Sequence, residues 1–564
     1  TTGGLLWHRL RHEYRFLKLR FWKGHYVVCG LGHKGFAFIR SITDVELNSR
    51  IVVIDPAPSH ELVGACDEAG ICIIIADAAE PDTLERARVT YAKEIIAITG
   101  SDETNVRIAA EVKRLRKKAA DHGQKLMPAV CRVHMSSAYL PQTLQKWTET
   151  ESDSTTTLRF FDVFDNEARR FLLELPLDGE NGIKPDDPTT VHVVVLGMGR
   201  MGSALVARAA KMGHFANGKP IRISVVDREA NKREKQFYFR YPILAEKKKD
   251  VWDLNFYQDE IDSFEIRQWI EKWAIEPNVL LQVFVCLDNN TLSTEFGLRV
   301  RDFLKDHRNC NISIRISSRE SLYPILQAED EKSSDKEKQG WLRRVVAFLM
   351  RKHKRTAPKK DAKTHVESEH RIRLFGMIED TCTNETFRNE YNENLARAIH
   401  NQHVVNALEN QPERKGKPSL APWDVLIDEF RESNRQQADH ISIKMRAIGC
   451  RVVDAKDKSA DAVFASEEIE VLAELEHRRW NADRWLAGWR KGEPKSEERR
   501  ISPYLVPWDQ LSYDIQGYDR KNVQNIPGWL KNIQPPRKII RHLESAPVSP
   551  SPAVAASQVV TAQE

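Results

Sequence analysis

Between His25 and Asp55 the chain reads HYVVCGLGHKGFAFIRSITDVELNSRIVVID, an order of residues that few folds accommodate. An apolar run at 26–29 leads straight into Gly30, Gly32 and Gly35, and a second apolar run ends on Asp55, 20 positions after Gly35. Gly30 permits a tight strand-to-helix turn, Gly32 lets the backbone approach a pyrophosphate, and Gly35 lets helix and strand pack closely. The helix N-terminus that follows presents its free N–H groups to phosphate. Asp55 is placed to accept hydrogen bonds from ribose hydroxyls. A glycine-rich turn alone carries little meaning. Strand, glycines and terminal acid together predict a dinucleotide-binding βαβ unit.

The pattern then alternates strand and helix, as a parallel sheet demands. Strands are expected at 26–29, 51–55, 71–76, 94–99 and 127–133, the middle ones as continuous Val/Ile runs of the kind buried on both faces. Asp77 follows the third strand, and Thr99 to Asn105 follow the fourth. Both positions fall at carboxyl ends of strands, the rim where open α/β sheets bind ligands. The theme returns in VHVVVLGMGRMGSALVARAAKMG, with Gly197, Gly199 and Gly202, and in IRISVVD, which ends on Asp227, 25 positions after Gly202. Asp288 and Asn289 follow a later buried strand, the third strand is expected near 252–258, and the segment around 247–250 reads as an insertion. The chain is thus expected to carry a second Rossmann unit. Whether that unit also holds a nucleotide stays open, because a duplicated fold can keep its packing and lose its ligand.

The first block resembles the TrkA N-terminal domain, also called RCK or KTN, a nucleotide-binding regulatory domain of potassium channels and transporters. The family's glycine loop matches Gly30, Gly32 and Gly35, its ribose acid Asp55, its acid after the third strand Asp77, and its DxxTN-like turn Asp102 to Asn105. The resemblance implies NAD(H) or ATP/ADP as the ligand of the first site, with Thr99 and Asn105 beside it. It also implies a membrane channel or transporter pore as partner, and self-association. The match fades at 141–190, where no small regulatory lobe is evident. There a polar stretch, TETESDSTTT, leads into a segment whose Phe161, Val163, Phe164, Ala168, Phe171 and Leu172 predict an amphipathic crossover helix packing one module on the next.

A second resemblance lies near the carboxyl end. Glu476, His477, Trp480, Asp483, Arg484, Gly488, Trp489 and Gly492, followed by Leu505-Val506-Pro507-Trp508, Tyr518 and Asp519, are similar to the RyR domain, a small helical repeat. It implies a regulatory role and a nucleotide-like ligand, for which His477, Trp480, Arg484 and Trp485 are the candidate residues. Aromatic rings stack on a base and guanidinium groups hold phosphate. The plainer reading of Trp480 and Trp489 is that they fill a core. Leu472, Leu475, Ala482, Leu486 and Trp489 approximate one helical face and are expected inside.

The expected architecture is α/β: two doubly wound parallel-sheet Rossmann domains in tandem, followed by a mainly α-helical RyR-like domain. In order, the chain divides into a basic juxtamembrane-like linker helix (1–23), the first Rossmann domain (24–140), a connecting helix (141–190) and the second Rossmann domain (191–328). A charged linker (329–370), a helical region (371–470), the RyR-like domain (471–532) and a disordered tail (545–564) complete it. The basic opening equally fits a solvated first helix, and the charge runs of 329–370 read first as a solvated linker, with 341–350 lying on a membrane or partner surface as the lesser alternative. Lys and Arg total 86 against 81 Asp and Glu, so the net charge of +5 implies no bulk attraction to nucleic acid. Eight cysteines without a CxxC read as reduced, mostly buried thiols of a cytosolic protein, with no metal site.

Three functions compete at this stage. A regulatory sensor for a potassium or other cation channel or transporter, at the cytoplasmic face of the membrane, accounts for the tandem fingerprints, the basic opening and the RyR-like part together. A second-messenger effector unconnected with ion transport is the alternative. An NAD-dependent oxidoreductase would need a positioned acid or base beside the nicotinamide, and no such His, Lys or Tyr constellation is legible, so no catalytic residue is expected.

Overall fold

Each Val/Ile run becomes a strand, because β-branched side chains suit a pleated surface buried on both faces. The computed structural model describes residues 17–46, 49–136, 155–247, 249–307, 309–317, 372–383 and 390–541. The first sheet holds β1 (Tyr26–Cys29), β2 (Ile51–Ile54), β3 (Cys72–Ile74), β4 (Glu94–Ala97), β5 (Ala129–His134) and β6 (Thr156–Phe161), all parallel, in the order β3-β2-β1-β4-β5-β6. Its helices are α1 (His33–Val45), α2 (His60–Glu68), α3 (Pro81–Arg86) and α4 (Asp102–Asp121). Apolar clusters cover both faces, Val27, Ile54 and Ile95 on one and Val28, Val53 and Ile96 on the other.

After α5 (Val163–Glu174) the design repeats. The second sheet is built from β7 (Thr190–Leu196), β8 (Ile221–Asp227), β9 (Trp252–Gln258), β10 (Val279–Val285), β11 (Cys310–Arg315) and β12 (Ile372–Phe375). Its order, β12-β11-β10-β7-β8-β9, is the same winding read from the other edge, and every pair is again parallel. The helices are α6 (Arg200–Met212), α7 (Ala230–Arg240), α8 (Pro242–Glu246), α9 (Phe264–Ile275) and α10 (Asn290–Leu304), with α11 (Ile378–Thr381) after β12. The strand expected near 252–258 is β9.

Two edge strands correct the sequence reading. Residues 156–161, expected as polar lead-in and helix, add β6 to the first sheet. Threonine, Leu158 and Phe160 favour the pleat, and the buried Arg116 fixes the strand by donating from Nε to Thr156 Oγ1 at 3.0 Å while Nη1 reaches Val89 O at 3.0 Å. The helix therefore starts later, at Val163, where Asp162 accepts from Phe164 N at 2.9 Å as its cap. The segment 372–375, strand-like in sequence but placed at the head of the helical region, pairs with β11 as the sixth strand of the second sheet.

The remainder is mainly helical: α12 (Glu390–Asn410), α13 (Asp428–Asp439), α14 (Ile441–Ala447), α15 (Ser466–Leu486), α16 (Tyr513–Gln524) and α17 (Ile526–Asn532). A two-stranded antiparallel ribbon of β13 (Cys450–Asp454) and β16 (Arg537–Arg541) closes it, and β14 (Arg490–Lys491) pairs with β15 (Ile501–Ser502). Leu472, Leu475, Ala482 and Trp489 are buried as the helical spacing predicts, and Leu486 is partly so. All eight cysteines are free and buried. Among the described residues no helix is long and apolar enough to cross a membrane, and no His/Cys/Asp/Glu group could hold a metal. The greater part of the basic opening, most of TETESDSTTT, the linker at 329–370 and the tail at 545–564 lie outside the described residues.

The parts are joined by buried ion pairs. Arg169 on α5 grips Asp439 on α13 with two bonds of 2.6 and 2.9 Å. Arg208 on α6 binds Asp165 on α5 and, at 2.6 Å, Glu432 on α13. Arg446 holds Asp178 at 2.9 and 2.6 Å. Such charges survive out of water only because each is paired. Helix α15 adds aromatic packing, with the ring of Trp485 6.4 Å from that of Trp252 in the core of the second unit.

Candidate nucleotide sites

The two glycine loops have the same build. Gly30 adopts φ +113° and Gly197 φ +97°, the left-handed half of backbone space that side chains resist. A Cβ on Gly35 would stand 2.0 Å from Gly30 O, and one on Gly202 would stand 2.1 Å from Gly197 O, so both positions admit only hydrogen. Gly32 and Gly199 differ in kind. A Cβ on Gly32 meets nothing within 4 Å, and one on Gly199 meets only Asp288 Oδ2 at 3.8 Å. These two glycines cap α1 and α6 without any side-chain hydrogen bond, which leaves the first-turn N–H groups facing open space. That combination fits a pyrophosphate at each loop.

The acids also repeat. Asp55 Oδ2 accepts from Leu31 N at 2.7 Å and Oδ1 from Ala57 N at 2.9 Å. Asp227 does the same toward Met198 N and Glu229 N, at 2.7 and 2.8 Å. Each carboxylate pins its glycine loop and keeps lone pairs for a ribose hydroxyl. Asp77 is exposed at the rim and accepts from Ala79 N at 2.8 Å. Thr99 and Asn105 form a different arrangement. Asn105 is 0% exposed; its Oδ1 accepts from Thr99 N and Oγ1, both at 2.8 Å, and its Nδ2 donates to His134 O at 2.9 Å. Asn105 therefore stitches the ends of β4 and β5 together, its side chain buried behind the rim.

Between the loops lies a seam that the sequence did not announce. Lys34 from the first loop, Arg200 from the second and Arg315 from the end of β11 surround the ring of Phe164, at 5.5, 5.9 and 5.8 Å from its centre. Arg200 Nη1 donates to Ser136 Oγ at 3.4 Å, and Lys34 Nζ lies 3.5 Å from His134 Nε2. Burial, and then the Lys34 charge, push the His134 imidazole down to about 4. Burial likewise raises the Asp162 carboxyl to about 7, with Asp165 adding to it. Both His134 and Arg315 end a fifth strand, so the rim rule applied to β5 and β11 would have found them.

The four carboxyl-terminal candidates part company. His477, Trp480 and Arg484 line a cavity of about 840 Å³ walled by α12, α13, α15 and α16. Trp485 points the other way, onto Trp252. His477 is already committed, with Nε2 2.8 Å from Val506 O and Nδ1 3.3 Å from Asp519 Oδ2, and its ring supports that of Trp480 at 5.8 Å and 23°. Arg484 stays over rings, 5.0 Å from Trp489 and 5.9 Å from Trp480.

Two six-stranded parallel sheets of identical winding, each with a glycine cradle at the carboxyl end of its first strand and an acid after its second, define a tandem of Rossmann-type units. Within the first unit, residues 26–131 match the TrkA-N domain, and within the helical part residues 465–533 match the RyR domain. No curated protein matches the chain. Among solved structures it is similar to the GsuK channel bound to NAD, at 11% identity and a TM-score of 0.37, covering 80% of this chain and 70% of that one. It is also similar to GsuK bound to ADP, at 15% identity and a TM-score of 0.35 over 54% of this chain, and it spans only 64% of that channel chain. An NAD(P)-binding domain of an exopolyphosphatase-related protein from Archaeoglobus fulgidus matches 24% of this chain at 16% identity, with a TM-score of 0.18. None of these scores reaches 0.5, and the fold stands on its own strand order.

Proposed function

We propose that the chain is a nucleotide-sensing regulatory region for a potassium or other cation channel or transporter, working at the inner face of the membrane, with a second input in its helical part. The observation that carries the nucleotide half is the paired cradle: Gly32 and Gly199 open, Gly35 and Gly202 closed by contact, and Asp55 and Asp227 set identically behind them. NAD(H) or ATP/ADP is the ligand class, its pyrophosphate on the N-terminus of α1 and, in the second unit, of α6. The ion-transport half rests on the TrkA-N match over 26–131. The pore is the partner, carried on the same polypeptide or on another.

Helix α6 supports the coupling. It starts at the second glycine loop, and its Arg208 binds Glu432 on α13, one wall of the carboxyl-terminal cavity. A ligand that shifts α6 is thereby felt at that wall. Calorimetry with ADP and with NADH tests the binding. Gly32→Arg fills the first phosphate path and should weaken binding at least tenfold, Asp55→Ala should weaken it less, and Gly199→Arg reads the second loop. Unchanged affinity for both ligands in Gly32→Arg and Asp55→Ala would end this reading.

A further inference from the structure

Among the described residues of the first unit, five large apolar side chains are well exposed, and four of them gather at the amino end of its sheet, opposite the glycine loop. Phe21 is 82% exposed ahead of β1, Val45 72% at the end of α1 and ahead of β2, and Met127 55% ahead of β5, while Leu17 opens the same segment as Phe21. Leu19 and Trp22, on either side of Phe21, pack into the first core, and Gly24 N donates to Tyr91 O at 2.8 Å. Glu46, next to Val45, accepts from Tyr26 Oη at 2.8 Å and from Lys93 Nζ at 3.0 Å. The buried Arg116 donates to Met127 O. The backbone is thus fixed at each point while the side chain stands in water. Neighbouring strands lie about 4.8 Å apart, so the rim from β2 to β5 is about 15 Å wide. Apolar residues scattered singly over a surface need no explanation, but a group of them on one rim does.

The same rim is basic. Arg20 and Lys23 precede β1, Arg50 precedes β2, Arg86 ends α3 ahead of β4, and Lys118 and Lys125 lie between the last turn of α4 and β5. All six are exposed, and among the described residues none has a carboxylate in salt-bridge range. The exposed acids between β2 and β5 are Asp44, Glu85 and Asp121, and Asp67 and Glu68 lie off at the β3 edge. Helix dipoles account for Arg86 and Lys118, each in a last turn. They do not account for Lys23, Arg50 and Lys125 in the loops, nor for the apolar side chains among them. The opposite rim carries Asp55, Asp77 and Asp102 beside the glycine loop, so the two ends of the sheet differ in sign.

We propose that the amino-end rim of the first sheet lies against an anionic lipid bilayer, with Phe21, Val45 and Met127 entering the headgroup layer and Lys23, Arg50 and Lys125 meeting lipid phosphates. A soluble acidic chain would satisfy the cations and leave the apolar groups in water, whereas a bilayer surface takes both. The proposal rests on the reading of the chain as a region working at the inner face of a membrane, and it gives that reading a contact surface. The glycine loop, at the other end of the sheet, stays open to nucleotide.

The test floats the full chain with vesicles of phosphatidylcholine, and with vesicles in which part of that lipid is replaced by phosphatidylglycerol. Binding should require the anionic lipid and weaken with added salt. Arg50→Gln and Lys125→Gln should each weaken it about fivefold, the share of one cation near such a surface. Phe21→Ser and Val45→Ser should each weaken it severalfold, with melting curves little changed because these side chains stand in water. Phe239→Ser, an equally exposed position on the second unit, should change nothing. No binding, equal binding to both kinds of vesicle, or an affinity that the four rim substitutions leave unaltered overturns the proposal, as does soluble polyglutamate taken up as tightly as the vesicles. A chain that ignores lipid can still answer to nucleotide. That half is decided separately, by ADP and NADH affinity measured without vesicles.

Discussion

Gly35 and Gly32 sit three positions apart and predict opposite outcomes. Gly35→Ala places a methyl 2.0 Å from Gly30 O and must force backbone apart, so a loss of about 1–3 kcal/mol or more is expected. Gly32→Ala adds its methyl to open space and should cost no more than about 1 kcal/mol, the ordinary difference between Gly and Ala at a helix N-cap. Gly202→Ala should repeat the first result in the second unit, and thermal melts compare all three. These glycines and the acids Asp55 and Asp227 were legible in the sequence because strand, loop, helix and strand are contiguous there. The Phe164 seam was not, since Lys34, His134, Phe164, Arg200 and Arg315 come from five separate segments and meet only after both sheets form. The bonds of Asn105 were illegible for a related reason. A polar residue after a strand looks like a rim ligand until its partners, Thr99 and the distant His134 O, are known.

Among elements, α15 does the most joining. Residues 477, 480 and 484 recur at three and four positions and face the cavity, while Ala482 and Trp485 on the other side enter the core of the second unit. Spacings of three and four put those three on one helix face and Trp485 off it. They could not foretell what the far side touches. Trp485→Ala should leave the cavity able to bind but loosen α15 from Trp252, so that a cavity ligand no longer alters affinity at the glycine loops. Retained coupling in that variant would mean the signal runs elsewhere, through Arg208 and Glu432. The ion pairs between elements are also separable by burial. Asp439→Ala strands the buried Arg169 and takes the acceptor from Asn392, which should cost about 3–5 kcal/mol in chemical denaturation. Glu295→Ala, which frees Arg299 at an open surface, should change stability by no more than about 0.5 kcal/mol. The strand β6 was missed because a short Thr- and Arg-containing edge carries a weaker apolar signal than the central Val/Ile runs, whereas β12 was legible as a strand but not as a member of this sheet, being so far along the chain from β11.

For the whole molecule, pH should act mainly through buried imidazoles. Burial holds His134 at about 4 and both His192 and His214 at about 3, against 6.5 for the free side chain. Between those values the unfolded chain binds protons that the native one refuses, so stability should fall as pH drops from 6.5 toward 4. Glu476 works in the same direction: against the pull of burial, Arg479 and Lys444 hold it at about 2, so its contribution fades as pH falls below 4.5. Asp162, raised to about 7 by burial, works the other way, because its neutral form suits the fold and stability is lost as pH rises through 7. Melting temperature against pH should therefore drop on the acid side, and Asp162→Asn, which removes an opposing slope between pH 3.8 and about 7, should make that drop steeper. The two ligand sites should meanwhile obey reciprocity. Whatever factor a cavity ligand imposes on ADP affinity at the glycine loops, ADP must impose on the cavity.

The late arrival of β12 has a consequence for synthesis. Its partner β11 leaves the ribosome more than fifty residues earlier, which at ordinary elongation rates is an interval of roughly 3–11 s. Throughout that interval the outer edge of β11, carrying Ile312 and Ile314, offers unpaired backbone groups in parallel register to any other nascent chain on the same message. Polysomes crowd such chains together. A chain cut at residue 317 keeps that edge open for good, and it should be recovered as aggregate or as strand-exchanged dimer where the intact chain is recovered free of both.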